Sequence, residues 1–286
     1  MKTIGKMKRL VPFVAILMVI AISHTVYAAD NMIPTYEVKF LLNSEQVLSK
    51  EHLLKKEYRN YFNTDSEYHT MSILYLDTEM QDFNNQGWIN RIRAKEGKSS
   101  FELTYKKRYP IQDGNIENAL TLANREGFDA TDMNYSAEID WGYSKMTLSL
   151  SCQKEKSNKG YDDLELPKKN AAIEMIKDKM PGKEENWLYE NWGKDVIKDA
   201  KKAGPVHCYR YNGKCDGIDV DIEIMPIENQ TNDNITYVTE LSFKENDYES
   251  ASEGRDIIMN ELDELGILEH RDSLKTQMIL DAYLGT

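Results

Sequence analysis

Four cationic side chains fall on alternate positions of two consecutive strand-like segments. Arg91 and Arg93 share one face of Trp88–Lys95, and Lys106 and Arg108 share one face of Phe101–Arg108. Successive side chains of a strand point to opposite faces, so two such strands side by side would bring the four cations together. Cations gathered on rigid strands suit a polyanion such as a chain of phosphates. The plainer account pairs Arg91 and Arg93 with Glu102 across the strands, a modest surface effect.

Carboxylates show the same spacing elsewhere. Glu138 and Asp140 oppose Ile139 and Trp141, while Asp219, Asp221 and Glu223 oppose Val220, Ile222 and Ile224. Glu37 and Lys39 oppose Val38 and Phe40, and Glu240 and Lys244 oppose Leu241 and Phe243. Three carboxylates on one face repel one another, which implies a bound cation or facing Lys and Arg. Internal salt bridges alone would meet that need as well.

Two architectures accommodate these strands. One is a half-buried antiparallel sheet with a solvated polar face. The other is a closed barrel with a polar lumen, its apolar outside covered by amphipathic helices. The second is favoured because the polar faces carry Glu and Arg rather than Ser and Thr, and because acidic and basic strands alternate along the chain. Strands are expected at Thr35–Leu42, Thr70–Asp77, Trp88–Lys95, Ser100–Arg108 and Tyr135–Trp141, then at Lys145–Lys154, Val206–Tyr211, Ile218–Met225 and Tyr237–Lys244. Helices are expected at Glu45–Tyr61, Ile116–Glu126, Tyr248–Leu265 and Asp272–Leu284. Lys168–Met180 and Glu185–Lys202 read as two helices broken at Pro181-Gly182, a helical insertion over 168–202 in a β-rich domain. Asp77 is expected to cap the short helical turn that follows it.

Residues 1–28 stand apart. Lys2, Lys6, Lys8 and Arg9 precede the apolar stretch Leu10–Ile22, and Val26-Tyr27-Ala28 places small residues at a cleavage site. This is the pattern of a secretory signal peptide cut after Ala28 or Ala29, so a secreted protein with no stable membrane anchor is expected. Residues 29–286 are then expected to form a single domain of about 258 residues. Without the leader, 48 acidic face 32 basic side chains, a net charge of −16. Such a chain is a poor non-specific binder of nucleic acid or anionic membrane, and its negative shell favours a small enclosed anion.

There are three cysteines. A turn at Asn212-Gly213 would put Cys208 and Cys215 on one face, where a disulfide is possible outside the cell. No CxxC, Walker loop, GxSxG or GxGxxG pattern occurs, which argues against structural zinc, P-loop and dinucleotide chemistry.

YEVKF, then YLDT before a short helix, then GWINRIR and FELTYKKR resemble, in this order, the CYTH fold of the triphosphate tunnel metalloenzymes. DVDIEI and the segment from ELSFKEN to DELGI fit the family's late acidic strand and following helix, so the likeness spans roughly Thr35 to Ile267. The family includes inorganic, thiamine and RNA triphosphatases and class IV adenylyl cyclases. The resemblance implies an α+β fold: an antiparallel eight-stranded β-barrel, or tunnel, with polar lumen and peripheral helices. It also implies Mg²⁺ or Mn²⁺ as cofactor and a small polyanionic substrate. By position, Lys39, Arg91, Arg93, Lys106 and Arg210 match phosphate-binding places, with Arg108 and Lys145 as additions. Glu37, Asp140, Glu223 and Glu240 match metal-binding places, and Glu138 and Asp221 the places from which a carboxylate would hold the attacking water.

Two departures stand out. The family's ExExK signature here runs Thr35, Glu37, Lys39, and the late ExE is Glu240-Leu241-Ser242. Asp140, Asp219 or Asp221 could compensate. The leading expectation is an exported metal-dependent phosphohydrolase of inorganic triphosphate, a nucleoside triphosphate or short polyphosphate. The alternatives are a tunnel that binds anions without hydrolysis and a partner-binding module with a salt-bridged lumen. Adenylyl cyclisation is the least expected, because ATP is scarce outside the cell.

Overall fold

A computed structural model describes residues 29–229, 234–272 and 275–285; the expected signal peptide, residues 1–28, lies outside them. The strands are β1 (Thr35–Leu42), β2 (His69–Asp77), β3 (Trp88–Lys95), β4 (Ser100–Ile111) and β5 (Ser136–Trp141). They continue with β6 (Met146–Ser157), β7 (Lys201–Cys215), β8 (Ile218–Glu228), β9 (Ile235–Glu245) and the two-residue β10 (Leu268–Glu269). Their order is β10-β1-β5-β6-β4-β3-β2-β7-β8-β9, and β9 also pairs with β1, so the sheet closes on itself.

The barrel therefore differs from the expected antiparallel eight-stranded tunnel. Nine strands form the ring and β10 lies outside it, against Leu41 and Leu42. A ring with an odd number of strands cannot alternate direction at every junction. The parallel contact falls between β1 and β5, with Glu37 opposite Asp140.

The alternation read from the sequence decides what faces out. Val38, Phe40, Leu74, Ile92, Leu103 and Ile222 are fully or almost fully buried on the outside of the barrel, beneath helices and loops. The helix Tyr248–Glu264 is capped by Asp247, which accepts from the Ser250 amide at 2.9 Å, and it buries Ala251, Gly254, Ile258 and Leu262. Gly254 lets it approach closely, since a Cβ there would lie 2.8 Å from the Phe243 ring. The helix Ile116–Arg125 is capped by Asn115 and buries Ala119, Leu120 and Ala123. Each buried aliphatic or aromatic side chain of this kind stabilises by about 1.5–3 kcal/mol.

Three local expectations are corrected. The expected helix Glu45–Tyr61 is two short pieces, Ser44–Val47 and Lys56–Tyr61, around a turn at His52, which has φ 59°. Its Leu48, Leu53 and Leu54 do not repeat at helical spacing. Over the expected helix Glu185–Lys202 the chain forms only the short helix Trp192–Val196 and a 3₁₀ turn, after a single helical turn at Gly182–Glu185, and Lys201 already begins β7. The β7–β8 turn lies at Asp216-Gly217 rather than Asn212-Gly213, so β7 runs on through Gly213. Cys208 and Cys215 then sit seven residues apart on one strand, on opposite faces, and all three cysteines are free thiols.

The lumen is polar over only part of its length. Leu41, Ile73, Tyr75, Ile89, Met225 and Val238 make its remainder apolar, and the C-terminal helix Lys275–Leu284 packs there through Ile279, Leu280 and Leu284. The barrel thus has an outer core under its peripheral helices and an inner one around this terminal helix.

Candidate functional site

The lumen-facing positions of the strands place two opposed walls around a cavity of about 420 Å³. One wall, from β4 and β3, carries Lys106, Arg108, Arg91 and Arg93. The other, from β8, β9, β1 and β5, carries the carboxylates, with Lys39 among them. The two walls are separated on one side by the small polar residues of β6 and on the other by the apolar β2 and by Arg210 of β7. Ten of the twelve expected site residues line this cavity, and the other two, Asp140 and Glu240, line the adjoining end around Lys39, Arg108 and Lys275. Lys145 sits at that end too. Asp219 does not join them; it pairs with Lys214 on the exposed β7–β8 hairpin.

Glu37, Glu138 and Asp140 form the acidic cluster, each offering an oxygen within 4.8 Å of the others. The parallel β1–β5 junction creates it, because it sets Glu37 directly beside Asp140. Lys39 Nζ lies 2.6 Å from Glu37 and also binds Asp140, to which the Ser149 hydroxyl donates. Lys244 reaches in from the surface to Glu138. Burial would raise the Glu37 carboxyl, yet Lys39 and Lys244 overcome it and hold it at about 2. Burial opposes ionisation of Asp140 as well, and Lys106 and Lys39 keep it well below the ordinary carboxylate value. Both groups are therefore ionised at neutral pH. Three anionic oxygens close together are a hard-cation donor set of the kind that holds Mg²⁺ or Mn²⁺.

On the basic wall, Glu102 takes Arg93 and Lys95, the latter at 2.9 Å, with Arg91 at 3.5 Å. The cross-strand pairing open in the sequence is therefore present, and it occurs inside the lumen rather than on the surface. It leaves donors over: the buried Nε atoms of Arg91, Arg93 and Arg210 have no hydrogen-bond partner among the described residues. Lys106 stands 3.7 Å from Asp140 and 4.0 Å from Glu138, and burial pushes its ammonium down to about 8. Arg108 makes no ion pair among the described residues; its guanidinium donates to Thr276 at 3.4 Å. A buried donor without an acceptor costs roughly 1–3 kcal/mol, so these groups are set up for a ligand rich in acceptor oxygens.

Glu223 and Glu240, neighbours on β8 and β9, are held differently. Lys275 Nζ, at the start of the C-terminal helix, lies 2.6 Å from Glu240 and 3.3 Å from Glu223. Arg210 holds the other oxygen of Glu223 at 2.8 Å. Burial opposes the charge on Glu223, but Lys275 and Arg210 outweigh it and hold the carboxyl at about 2. Sequence reasoning missed Lys275, because its segment carries a helical pattern with no alternation pointing into the lumen. It also missed Asp272, whose carboxylate takes the amides of Ser144 and Lys145 at 2.8 and 3.0 Å and ties the β5–β6 turn to the approach of that helix. Thr35, in the place of the first Glu of the ExExK pattern, directs its hydroxyl to the Ala137 carbonyl at 3.5 Å.

Asp77 acts as the cap expected of it, accepting from the Thr78, Phe83 and Asn84 amides. Behind β3, outside the lumen, Glu184 of the insertion is 0 % exposed; one oxygen takes the Asn90 amide at 2.7 Å, and the other has no partner among the described residues. Burial pushes its carboxyl up to about 8, with Asp77 adding to the rise and Asn90 opposing it. A carboxyl kept neutral in the fold stabilises fully below its unfolded value and loses that contribution as pH rises towards its folded one. Unfolding free energy measured in urea should therefore fall between about pH 4.5 and pH 8, by up to about 5 kcal/mol from this group. Glu184→Gln should flatten that slope; an equally steep slope in the variant would clear Glu184 of the effect.

The closed barrel carries cations and carboxylates on opposed inner walls and apolar residues outside, the polar lumen expected from the sequence, with nine mixed strands in place of eight antiparallel ones. Solved structures that are similar include a candidate adenylyl cyclase from Hippeastrum, described as having a dominant triphosphatase activity. It is 12% identical, with 85% of this chain and 93% of that chain covered and a TM-score of 0.49. A candidate adenylate cyclase from Bacillus halodurans is 15% identical over 88% of this chain and 98% of that one, TM-score 0.48. A third, from Vibrio parahaemolyticus, is 11% identical over 87% and 99%, TM-score 0.40. At these values the comparisons describe a likeness of outline only. No family model and no curated protein matches the chain.

Proposed function

We propose that the protein is an exported, metal-dependent phosphohydrolase acting on inorganic triphosphate, a nucleoside triphosphate or a short polyphosphate. The observation that carries this is the pair of opposed walls: Arg91, Arg93, Lys106 and Arg108 facing the cluster Glu37, Glu138 and Asp140 across one cavity. The C-terminal helix fills the apolar end, so a linear anion enters from the other mouth and presents its end. The phosphate oxygens accept from the arginines, including the Nε donors that otherwise lack partners, and Arg93 exchanges Glu102 for the ligand while Lys95 keeps Glu102 neutralised. Glu37, Glu138 and Asp140 would hold a divalent ion, which when bound supplies charge neutralisation and ordered water. Glu138 and Asp221 are the carboxylates assigned to orient water for in-line attack on the terminal phosphorus; the phosphoanhydride oxygen leaves towards the basic wall. Lys106 on that wall carries a proton that it can share with the leaving group near neutral pH. Export rests on the leader in residues 1–28, and N-terminal sequencing of protein from the growth medium tests it.

A second reading has specific support. Thr35 and Ser242 replace two carboxylates of the family pattern, and Glu223 and Glu240 already hold Lys275. The protein would then bind phosphate-rich anions without cleaving them. Phosphate release from tripolyphosphate and ATP, with Mg²⁺, Mn²⁺ or EDTA in parallel, separates the readings. Release that needs metal and is faster on tripolyphosphate supports the hydrolase. Absence of release, with a melting temperature raised by tripolyphosphate, supports the binder. Neither effect would leave a salt-bridged barrel that serves as a partner-binding module.

A further inference from the structure

We infer that Lys275 is a built-in cation standing where a second divalent ion would otherwise sit, so that the lumen takes one metal ion rather than two. The inference rests on the metal-dependent reading above. Two carboxylate groupings face the cavity, and they differ in which of their cations can leave.

Glu37, Glu138 and Asp140 carry three negative charges. Lys39 and Lys106 are enclosed beside them, whereas the Lys244 side chain is 62% exposed and lies on the outer rim. Lys244 can return to water at little cost, because an exposed ion pair contributes about 0–1 kcal/mol. Its departure leaves the cluster one charge negative, and a divalent ion then reverses a small imbalance.

Glu223 and Glu240 carry two negative charges, met by Lys275 and by Arg210, which also reaches the more exposed Asp221 at 3.3 Å. Both cations are more enclosed than Lys244. Arg210 is fixed in β7, opposite Glu223 in the ladder. Lys275 is the first residue of a helix whose Ile279, Leu280 and Leu284 are buried in the inner core, and whose approach is tied by Asp272 to the β5–β6 turn. The Lys275 side chain is 26% exposed against 62% for Lys244, so its ammonium is the harder of the two to return to water. With both cations in place, a divalent ion added here would meet only the spare charge of the more exposed Asp221, and the positive charge left over in a buried site is disfavoured.

Counting Mn²⁺ tests this without reference to turnover. The electron paramagnetic resonance signal of free Mn²⁺, followed as the ion is titrated into the purified protein, gives the number bound per chain. One ion is expected for the natural protein and two for Lys275→Met, with Lys275→Arg returning to one. Removing one carboxylate of the pair as well, in Lys275→Met with Glu240→Gln, should also return the count to one. Two ions in the natural protein, or one in Lys275→Met, would overturn the inference while leaving the Glu37 cluster intact as a site. No ion bound by the natural protein would instead refute the metal-dependent reading itself. If Lys275→Met does not fold alone, Mn²⁺ should restore its folding with two ions bound, and failure to do so counts against the proposal.

Discussion

Arg93→Ala is expected to lower phosphate release from tripolyphosphate by about 10²- to 10³-fold, the usual consequence of removing one enclosed donor to a charged transition state. Arg93 is the lumen arginine bound most closely to Glu102 and has a buried Nε donor without a partner. The variant should stay folded, since Arg91 and Lys95 remain beside Glu102 and the strand's outward Ile92 is untouched. Thermal melting read alongside turnover separates the two effects. Unchanged turnover would remove Arg93 from the site, and loss of the melting transition would make its role structural.

Leu280→Asp should cost at least about 4 kcal/mol of stability, because it puts a carboxylate without a partner into the inner core. Leu280 is 3% exposed among Ile73, Met225, Ile227 and Val238, all lumen-facing and all apolar. Leu280→Met, which keeps volume and polarity, should cost less than about 1.5 kcal/mol. Urea midpoints of the two variants provide the comparison. Similar midpoints would mean that the terminal helix is not part of the cooperative unit.

Side-chain alternation made most of the barrel legible. Glu37 and Lys39 against Val38 and Phe40, or Asp221 and Glu223 against Val220 and Ile222, state directly which face meets the lumen and which meets the helices. The same alternation placed the cations and carboxylates on the inner face before any pairing was known. What it could not give was closure. The parallel β1–β5 contact joins residues about a hundred positions apart, and no local pattern encodes it. The β7–β8 turn was misplaced for a related reason. Asn212-Gly213 and Asp216-Gly217 are both good turn sequences, and only the pairing of Arg210 with Glu223 selects the second. Gly213 serves another purpose in mid-strand: a Cβ there would lie 2.5 Å from the Phe62 carbonyl oxygen. The change along single strands from Glu223 to Met225, and from Lys39 to Leu41, was visible as a loss of charge. That a helix fifty residues beyond β8 would cover those residues and deliver Lys275 was not.

The closing of the ring at β1 has a kinetic consequence. β1 is the first of these strands in chain order, yet its long edge partner is β9 and its other edge is shared by β5 and β10. Hairpins such as β3–β4 and β7–β8 need only short loops, whereas Phe40 must find Leu241 across some two hundred residues. Contacts at such separation form slowly, because the chain entropy of closing the loop is lost before the contact rewards it. In pulse-labelled hydrogen exchange during refolding, the amides of Val38 to Leu42 should be among the last to gain protection. Protection there ahead of the β7–β8 hairpin would show that the barrel is built outward from its first strand instead of being sealed by it.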